Sequence, residues 1–323
     1  MIFMEILKQM MDMGILVEPL VSERMNALSP NQLSIVVDKV KTERPLVLTE
    51  QILEKYLKSS YFKILRNMSV TKRLTIQDFT ETINKRYDFV QNLLMRKVEL
   101  TNIVSINKCN SGKLTVIGMV KKKEPSNGNF VLELEDKTGT LNAVVSKDLA
   151  EKTSIDDTIA VYGNYNNKIL FGEKVVYPDV PLRKVTYSKV DSKIMFIINQ
   201  DLSNKVETDA DYIFVGNCDN AERAKEHYPL AKIFIISDEN KTEGSVNYIT
   251  KQSFVEIDGV VVLVLFDTDP LSALRKRFIS INNSDFLIDI LPDIVLTNKM
   301  INTNYKSISI LGEKTQINLK TRI

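Results

Sequence analysis

The chain has 323 residues, of which 44% are apolar and 26% charged, and its formal net charge is +2. That length supports two or three domains with separate cores, and the near balance of charge excludes a protein that attracts nucleic acid through its overall charge, so any DNA contact must be local. One histidine, His227, leaves the C-terminal half poor in hydrolytic metal ligands, while two cysteines, Cys109 and Cys218, are too few for a disulfide framework and too distant for a zinc pattern.

Residues 1–58 read as an N-terminal helical domain of short elements. Gly14 ends a first helix. Ser29, Pro30 and Gln32 compose a helix start, with Ser29 as N-cap and Pro30 at the first helical position, and Leu33, Val36, Val37 and Val40 then supply one apolar stripe. Arg44 and Pro45 close that helix, and Thr49 caps a last one carrying Ile52, Leu53 and Leu57. No apolar run approaches the ~18 residues of a membrane span. The opening residues Met1 to Glu5 lack the basic start of a signal peptide, so a cytoplasmic chain without membrane contact is expected.

Residues 59–104 read as a linker and a connector helix. Thr75 and Asp78 form its cap, and Phe79, Ile83, Tyr87, Val90 and Leu94 follow at helical spacing. Lys85, Arg86, Arg96 and Lys97 fall on or near the polar side and read as a solvated face.

Residues 105–180 carry the clearest pattern. The run at 114–120 is followed by 130–136, where Val131, Glu133 and Glu135 alternate with Leu132 and Leu134, and then by 139–145. These are the first three strands of an OB-fold β-barrel, a type that most often binds single strands or partner proteins. The turn between the second and third strands spans Asp136 to Gly139, with the glycine expected at positive φ. Lys121, Lys122 and Lys123 read as a hairpin tip, either solvated or touching phosphate. Phe130, Tyr162, Tyr165 and Phe171 are candidate stacking residues, but the first strand offers none, which favours partner binding over tight independent DNA binding.

Pro178 and Pro181 mark an extended link into residues 181–323. There, short continuous apolar strands at 194–198, 212–215 and 233–236 alternate with helical stretches such as 220–227. Residues 255–266 form a hairpin around Asp258 and Gly259, and 291–296 and 307–311 supply late strands. In such α/β domains, residues at the C-terminal strand ends build the site. Those positions are Asn199 to Asp201, Gly216 to Asn220, Ser237 to Asn240, Phe266 and Asp267, and Asn298 to Ile301.

The order of a helical domain, a connector with Ile76 to Phe79 and Arg86-Tyr87, a barrel with Gly118 to Val120, the stretch from Tyr177 to Pro181 and an α/β domain resembles the small subunit of archaeal family D DNA polymerase. The resemblance implies an α+β multidomain chain whose last part is a calcineurin-like phosphoesterase α/β sandwich. Active members of that family carry a manganese-dependent 3′–5′ exonuclease site. Carried over residue by residue, its ligand positions fall on Asn199, Asp201, Asn217, Asn220, Glu239 or Asn240, Phe266, Lys299 and Ile301. An amide in place of a bridging carboxylate loses the charge that holds two cations together, and the Lys299 ammonium repels them. The implied domain is therefore degenerate, with no catalytic residue, no metal and no cofactor.

The resulting expectation is a non-catalytic scaffold subunit in DNA replication. Its implied partners are a large catalytic subunit, primer-template DNA met through the complex, and other replication proteins at the N-terminal domain. Two alternatives stay open. One is an active nuclease in which Asp201, Asp219, Asp238 and Glu239 rebuild a metal site; the other is a standalone single-strand-binding barrel using Lys121, Lys122 and Lys123. His227 reads as a helix-end residue favoured by the helix dipole, and Cys218 as a buried or half-buried thiol.

Overall fold

The computed structural model describes residues 2–26, 36–37, 39–41, 43–57, 61–68, 75–198, 206–216, 221–229, 231–238, 242–243, 246–281 and 284–323. The N-terminal part contains α1 (Ile2–Asp12), β1 (Leu16–Val17), α2 (Pro19–Asn26), β2 (Val47–Leu48) and α3 (Glu50–Leu57). Gly14 takes φ +76°, a conformation that stops α1 and that only glycine adopts at little cost. Thr49 Oγ1 accepts a hydrogen bond from the Ile52 amide at 3.3 Å, capping α3. Met10, Val21, Met25, Val40, Leu53 and Tyr56 share one buried cluster. The parallel pair β1 and β2 was not legible in the sequence, because two residues are too few to show a period. The expected cap at Ser29 and Pro30 lies outside the described residues.

The segment read as a link contains β3 (Phe62–Asn67), which pairs antiparallel with a strand nearly two hundred residues away. Helix α4 (Ile76–Met95) begins with the expected capping box. Asp78 N donates to Thr75 Oγ1 at 3.2 Å and Thr75 N donates to Asp78 Oδ2 at 2.9 Å, which lowers the Asp78 pKa. Tyr87, Val90 and Leu94 are buried along one stripe.

The barrel comprises β4 (Ile103–Val104), β5 (Gly112–Ser126), β6 (Asn129–Asp136), β7 (Gly139–Ser146), the short α5 (Lys147–Ala150), β8 (Thr158–Asn166) and β9 (Ile169–Val176). Strands run β5-β6-β7-β9-β8 and close through β5–β8 pairing, leaving β4 as a parallel addition to β5. Alternation puts Leu132, Leu134, Leu141, Ala143 and Val145 inside. At a bulge in β8, a Cβ on Gly163 would lie 2.0 Å from the Phe171 carbonyl oxygen, so the strand crossing requires glycine. The turn expected to need positive φ at Gly139 is built differently. Asp136 Oδ1 accepts the amides of Thr138 at 2.6 Å and Gly139 at 3.0 Å, a side-chain-closed turn, whereas positive φ occurs one hairpin earlier at Asn127 and Gly128.

The remainder forms two six-stranded sheets. Its strands are β10 (Lys193–Ile198), β11 (Tyr212–Gly216), β12 (Lys232–Ser237), β13 (Thr242–Glu243), β14 (Val246–Thr250), β15 (Gln252–Ile257), β16 (Val260–Leu265), β17 (Phe278–Ile281), β18 (Ser284–Leu287), β19 (Ile294–Thr297), β20 (Thr303–Tyr305), β21 (Ile308–Leu311) and β22 (Thr315–Asn318). One sheet has the order β13-β14-β12-β11-β10-β22, the other β20-β21-β19-β16-β15-β3, and β17 and β18 pair separately. Phe196, Phe214 and Phe234 of the first sheet meet Val255, Val262 and Leu296 of the second in one cluster. Helix α6 (Ala221–His227) joins a cluster with Ile213 and Val215, and α7 (Pro270–Lys276) one with Leu263 and Val295. Strands covered on both faces read as continuous apolar runs, which explains the pattern seen in the sequence. The hairpin turn at Asp258 and Gly259 has φ +49° and +81° as expected for a two-residue turn. The chain is thus an α+β protein with a closed five-stranded barrel. Among the described residues, no helix is long and apolar enough to cross a membrane.

Buried charges join barrel to sandwich. Arg86, read as part of a solvated face, is buried: its Nη1 donates to Ser280 Oγ at 2.8 Å and Asp285 Oδ1 at 3.1 Å, and its guanidinium stacks 4.7 Å from the Phe278 ring centroid. Lys85 and Arg96 are exposed, and Lys97 is half-buried. Lys276 pairs with the buried Asp157 at 2.7 Å, tying α7 to the barrel loop before β8. The two-proline link is equally anchored, with Asp179 accepting from Tyr305 Oη at 2.9 Å and Lys306 Nζ at 2.8 Å.

Candidate functional site

The parallel strands β10, β11, β12, β16 and β19 bring their C-terminal ends toward one edge of the sandwich. Phe266, immediately after β16, is fully buried, and its ring centroid lies 5.8 Å from that of Phe196. A Cβ added to Gly216, at the end of β11, would sit 2.6 Å from the Phe266 ring. Glycine is therefore required there because the phenyl group occupies the space between the two strand ends. A carbon ring offers no ligand to a cation, so the space between these strand ends is filled by apolar packing.

The carboxylates that the structure does place at this edge are already engaged. Lys251 Nζ lies 2.9 Å from Asp238 Oδ1, after β12, and 3.5 Å from Asp267 Oδ2, after β16. The hydrogen bond to Asp238 is the largest cause of a raised Lys251 pKa, with partial burial opposing it, so the ammonium stays charged. Asp267 also exchanges two hydrogen bonds with Asn298, through Asn298 Nδ2 at 2.8 Å and its own amide at 3.0 Å. Lys299 is exposed, while Ile301 is half-buried and packs under the second sheet. The Lys299 carbonyl would lie 2.8 Å from a Cβ on Gly312, so that loop also closes tightly. Asn199, Asp201, Asn217, Asn220, Glu239 and Asn240 lie outside the described residues, as do Asp219 and Cys218. Among the described residues, no three His, Cys, Asp or Glu side chains converge in a way that could hold a metal ion. Phe266 and the Lys251-bridged carboxylates do not fit a binuclear manganese centre.

The lysines of the barrel also have partners. They lie within β5 rather than at the hairpin tip, which is formed by Asn127 and Gly128. Lys121 pairs with Glu135 at 3.2 Å and Lys122 with Glu133 at 3.3 Å. Lys123 Nζ donates to the carbonyls of Ala150 at 2.7 Å and Thr153 at 2.9 Å and lies 4.9 Å from the Phe130 ring centroid. Of the candidate stacking residues, Phe171 is exposed, while Tyr165 packs against the barrel core. His227 ends α6, edge-on to Tyr228, and Cys109 is half-buried with its Sγ 3.7 Å from the Ser105 carbonyl.

Sequence reasoning missed Lys251 and Arg86. Lys251 had no signal beyond its place between two apolar strands. Arg86 did have one, because it lies three residues after Ile83 and four before Val90, on the apolar stripe itself.

No model of a known protein family matches the chain. Individual proteins do match. The DNA polymerase II small subunit of Pyrococcus abyssi is 30% identical over 139 residues, covering 40% of this chain and 22% of that protein. The DNA polymerase II small subunit of Archaeoglobus fulgidus is 27% identical over 133 residues, covering 40% of this chain and 27% of that protein. The chain is a relative of the archaeal DNA polymerase II small subunits. This supports the family D resemblance drawn from the motifs, and the match spans only 22% to 27% of these relatives' own length. Among solved structures, asparaginyl-tRNA synthetase from Pyrococcus horikoshii aligns at 21% identity over 20% of this chain and 19% of that one, with a TM-score of 0.19, too slight an overlap to carry an argument.

Proposed function

We propose that this chain is the non-catalytic small subunit of a family D DNA polymerase, in which the barrel and a degenerate calcineurin-like phosphoesterase sandwich dock a large catalytic subunit. The observation that carries the reading is the buried Phe266 ring wedged against Gly216 at the strand-end edge. It combines with the kinship to DNA polymerase II small subunits. A rigid two-sheet platform whose cleft is filled by side chains remains a stable surface, and obligate heteromeric interfaces of this kind can bury more than ~2,000 Å². In this reading residues 1–58 are a helical module for another replication protein, 59–104 the linker and connector, 105–180 the barrel and 181–323 the pseudo-phosphoesterase domain. Primer-template DNA is met through the complex.

The test is to purify the chain alone and together with the matching large subunit, and to assay both on single-stranded and 3′-recessed primers across Mg²⁺ and Mn²⁺. The expected result is a stable complex with raised polymerase activity and no primer shortening by the small chain alone. Mn²⁺-dependent shortening that disappears in the Asp201→Ala, Asp219→Ala double variant would overturn the proposal, because these carboxylates would then have rebuilt a metal site.

A further inference from the structure

We infer that the extended stretch from Leu182 to Ser192, together with the adjoining Asn318 to Arg322, forms a surface for single-stranded nucleic acid, distinct from the barrel. These two stretches are neighbours in space. Ser188 N donates to the Leu319 carbonyl at 2.9 Å, Leu319 N to the Ser192 carbonyl at 2.8 Å, and Arg322 Nε to the Thr186 carbonyl at 3.0 Å. Together they carry five cations, Arg183, Lys184, Lys189, Lys320 and Arg322, and one carboxylate, Asp191, with Asp293 adding a second by pairing with Arg183 at 2.7 Å. On a chain whose net charge is +2, this is a marked local concentration of positive charge.

The contrast with the barrel makes the case. There, two lysines are ion-paired and the third is turned onto backbone carbonyls. Here Lys184, Lys189 and Lys320 are exposed, and among the described residues none of the three has an ion-pair partner. Between the first two stands Tyr187, 55% exposed, next to Thr186, whose carbonyl accepts from Arg322 Nε at 3.0 Å. Exposed cations interleaved with an aromatic ring suit a strand whose phosphates meet ammonium groups while an unpaired base stacks on the ring. Lys184 and Lys189 are separated by at most about 17 Å of extended chain, which matches a short run of nucleotides and not a long duplex footprint. From Leu182 to Ser188 the backbone has no helix or sheet ladder, and it bends at Lys189 and Val190.

The experiment is fluorescence anisotropy of a labelled 20-nucleotide oligothymidylate with the full chain, titrated from 50 to 200 mM NaCl. In the Lys184→Gln, Lys189→Gln, Lys320→Gln variant, removing three phosphate contacts should lower the slope of log affinity against log salt by roughly 2. Tyr187→Ala should weaken binding about tenfold at constant slope, with Tyr187→Phe retaining it. The control, Lys121→Gln with Lys122→Gln, should change neither quantity. A 20-base-pair duplex should bind more weakly than the single strand at equal salt. The inference is overturned if the wild-type chain does not bind, if the control lowers the slope as much as the triple variant, or if duplex binds as tightly and Tyr187→Ala has no effect. Because binding is read on the chain alone and docking by complex formation, either proposal can fail without the other.

Discussion

Two of the places where this molecule puts cations beside carboxylates differ in their access to water, and water separates their meanings. Where α4 meets the barrel and the β17–β18 hairpin, Arg86 and Asp285 have side chains only 5% and 7% exposed. At the strand-end edge of the sandwich, Lys251 bridges Asp238 and Asp267, whose side chains are 78% and 60% exposed. The residue types are similar, but the first pair is in a low-dielectric setting with its desolvation already incurred, and the second is screened by solvent. Among the described residues Arg86 Nε and Asp285 Oδ2 also have no hydrogen-bond partner, so that junction has little tolerance for losing either charge. The first is thus a structural latch between barrel and sandwich, and the second a tether between loops.

The sharpest way to break this comparison is Arg86→Ala. It leaves Asp285 charged, buried and unpaired, and should lower stability by about 3–5 kcal/mol in denaturant unfolding. The double variant Arg86→Met, Asp285→Leu should recover more than half of that loss, because well-packed apolar residues can replace a buried pair at little cost. If the double variant is as unstable as the single, the pair contributes specific geometry that apolar packing cannot replace.

Asp157 is the intermediate case, a buried carboxylate whose partner Lys276 is partly exposed. Burial raises its pKa above the ordinary 3.8 and outweighs the lowering by Lys276. A raised native pKa means the folded chain binds the proton more tightly than the unfolded one, so this contribution to stability is full below about 3.8 and is lost as pH rises through the native value. Asp157→Asn should therefore cost about 1–2 kcal/mol near pH 4, through weakened hydrogen bonds, and less at pH 7. Unfolding midpoints of both proteins at the two pH values give the sign. A cost that grows with pH would mean that the Lys276 pair dominates over burial.

What the sequence revealed follows the range of the interaction. The alternation in β6, the continuous apolar runs of β10 to β12, the Thr75–Asp78 cap and the turn at Asp258 and Gly259 are all set by residues within a few positions of one another, and all were legible. Strand β3 was not, because its place at a sheet edge depends on pairing with β15 far along the chain, and on Phe62 meeting the Phe234 ring edge-on at 5.0 Å. The charges divide in the same way. Lys121 and Lys122 find glutamates on the neighbouring strand, and Arg86 finds Asp285 on a hairpin some two hundred residues along the chain, so neither partner can be read from local charge patterning. At the strand ends, the sequence places Ser237 and Asp238 after one strand and Phe266 and Asp267 after another. It gave no sign that Phe266 would fill the space against Gly216 or that Lys251 would bind the remaining carboxylates.

The smallest expected effect tests the solvent-exposed side of the comparison. Replacing Lys251 by Met keeps most of the side-chain length and removes the charge, leaving Asp238 and Asp267 to repel each other across the strand ends. An exposed ion pair contributes about 0.2–1 kcal/mol, so Lys251→Met should shift thermal unfolding only slightly, and the shift should shrink between 20 and 500 mM NaCl as screening increases. Because the native Lys251 pKa is raised, its contribution is present below the ordinary value of 10.5 and is lost as pH rises through the native one, so wild type and variant should converge in strong alkali. A loss above about 2 kcal/mol that ignores salt would place this bridge in the same class as Arg86–Asp285, and the distinction between latch and tether would collapse.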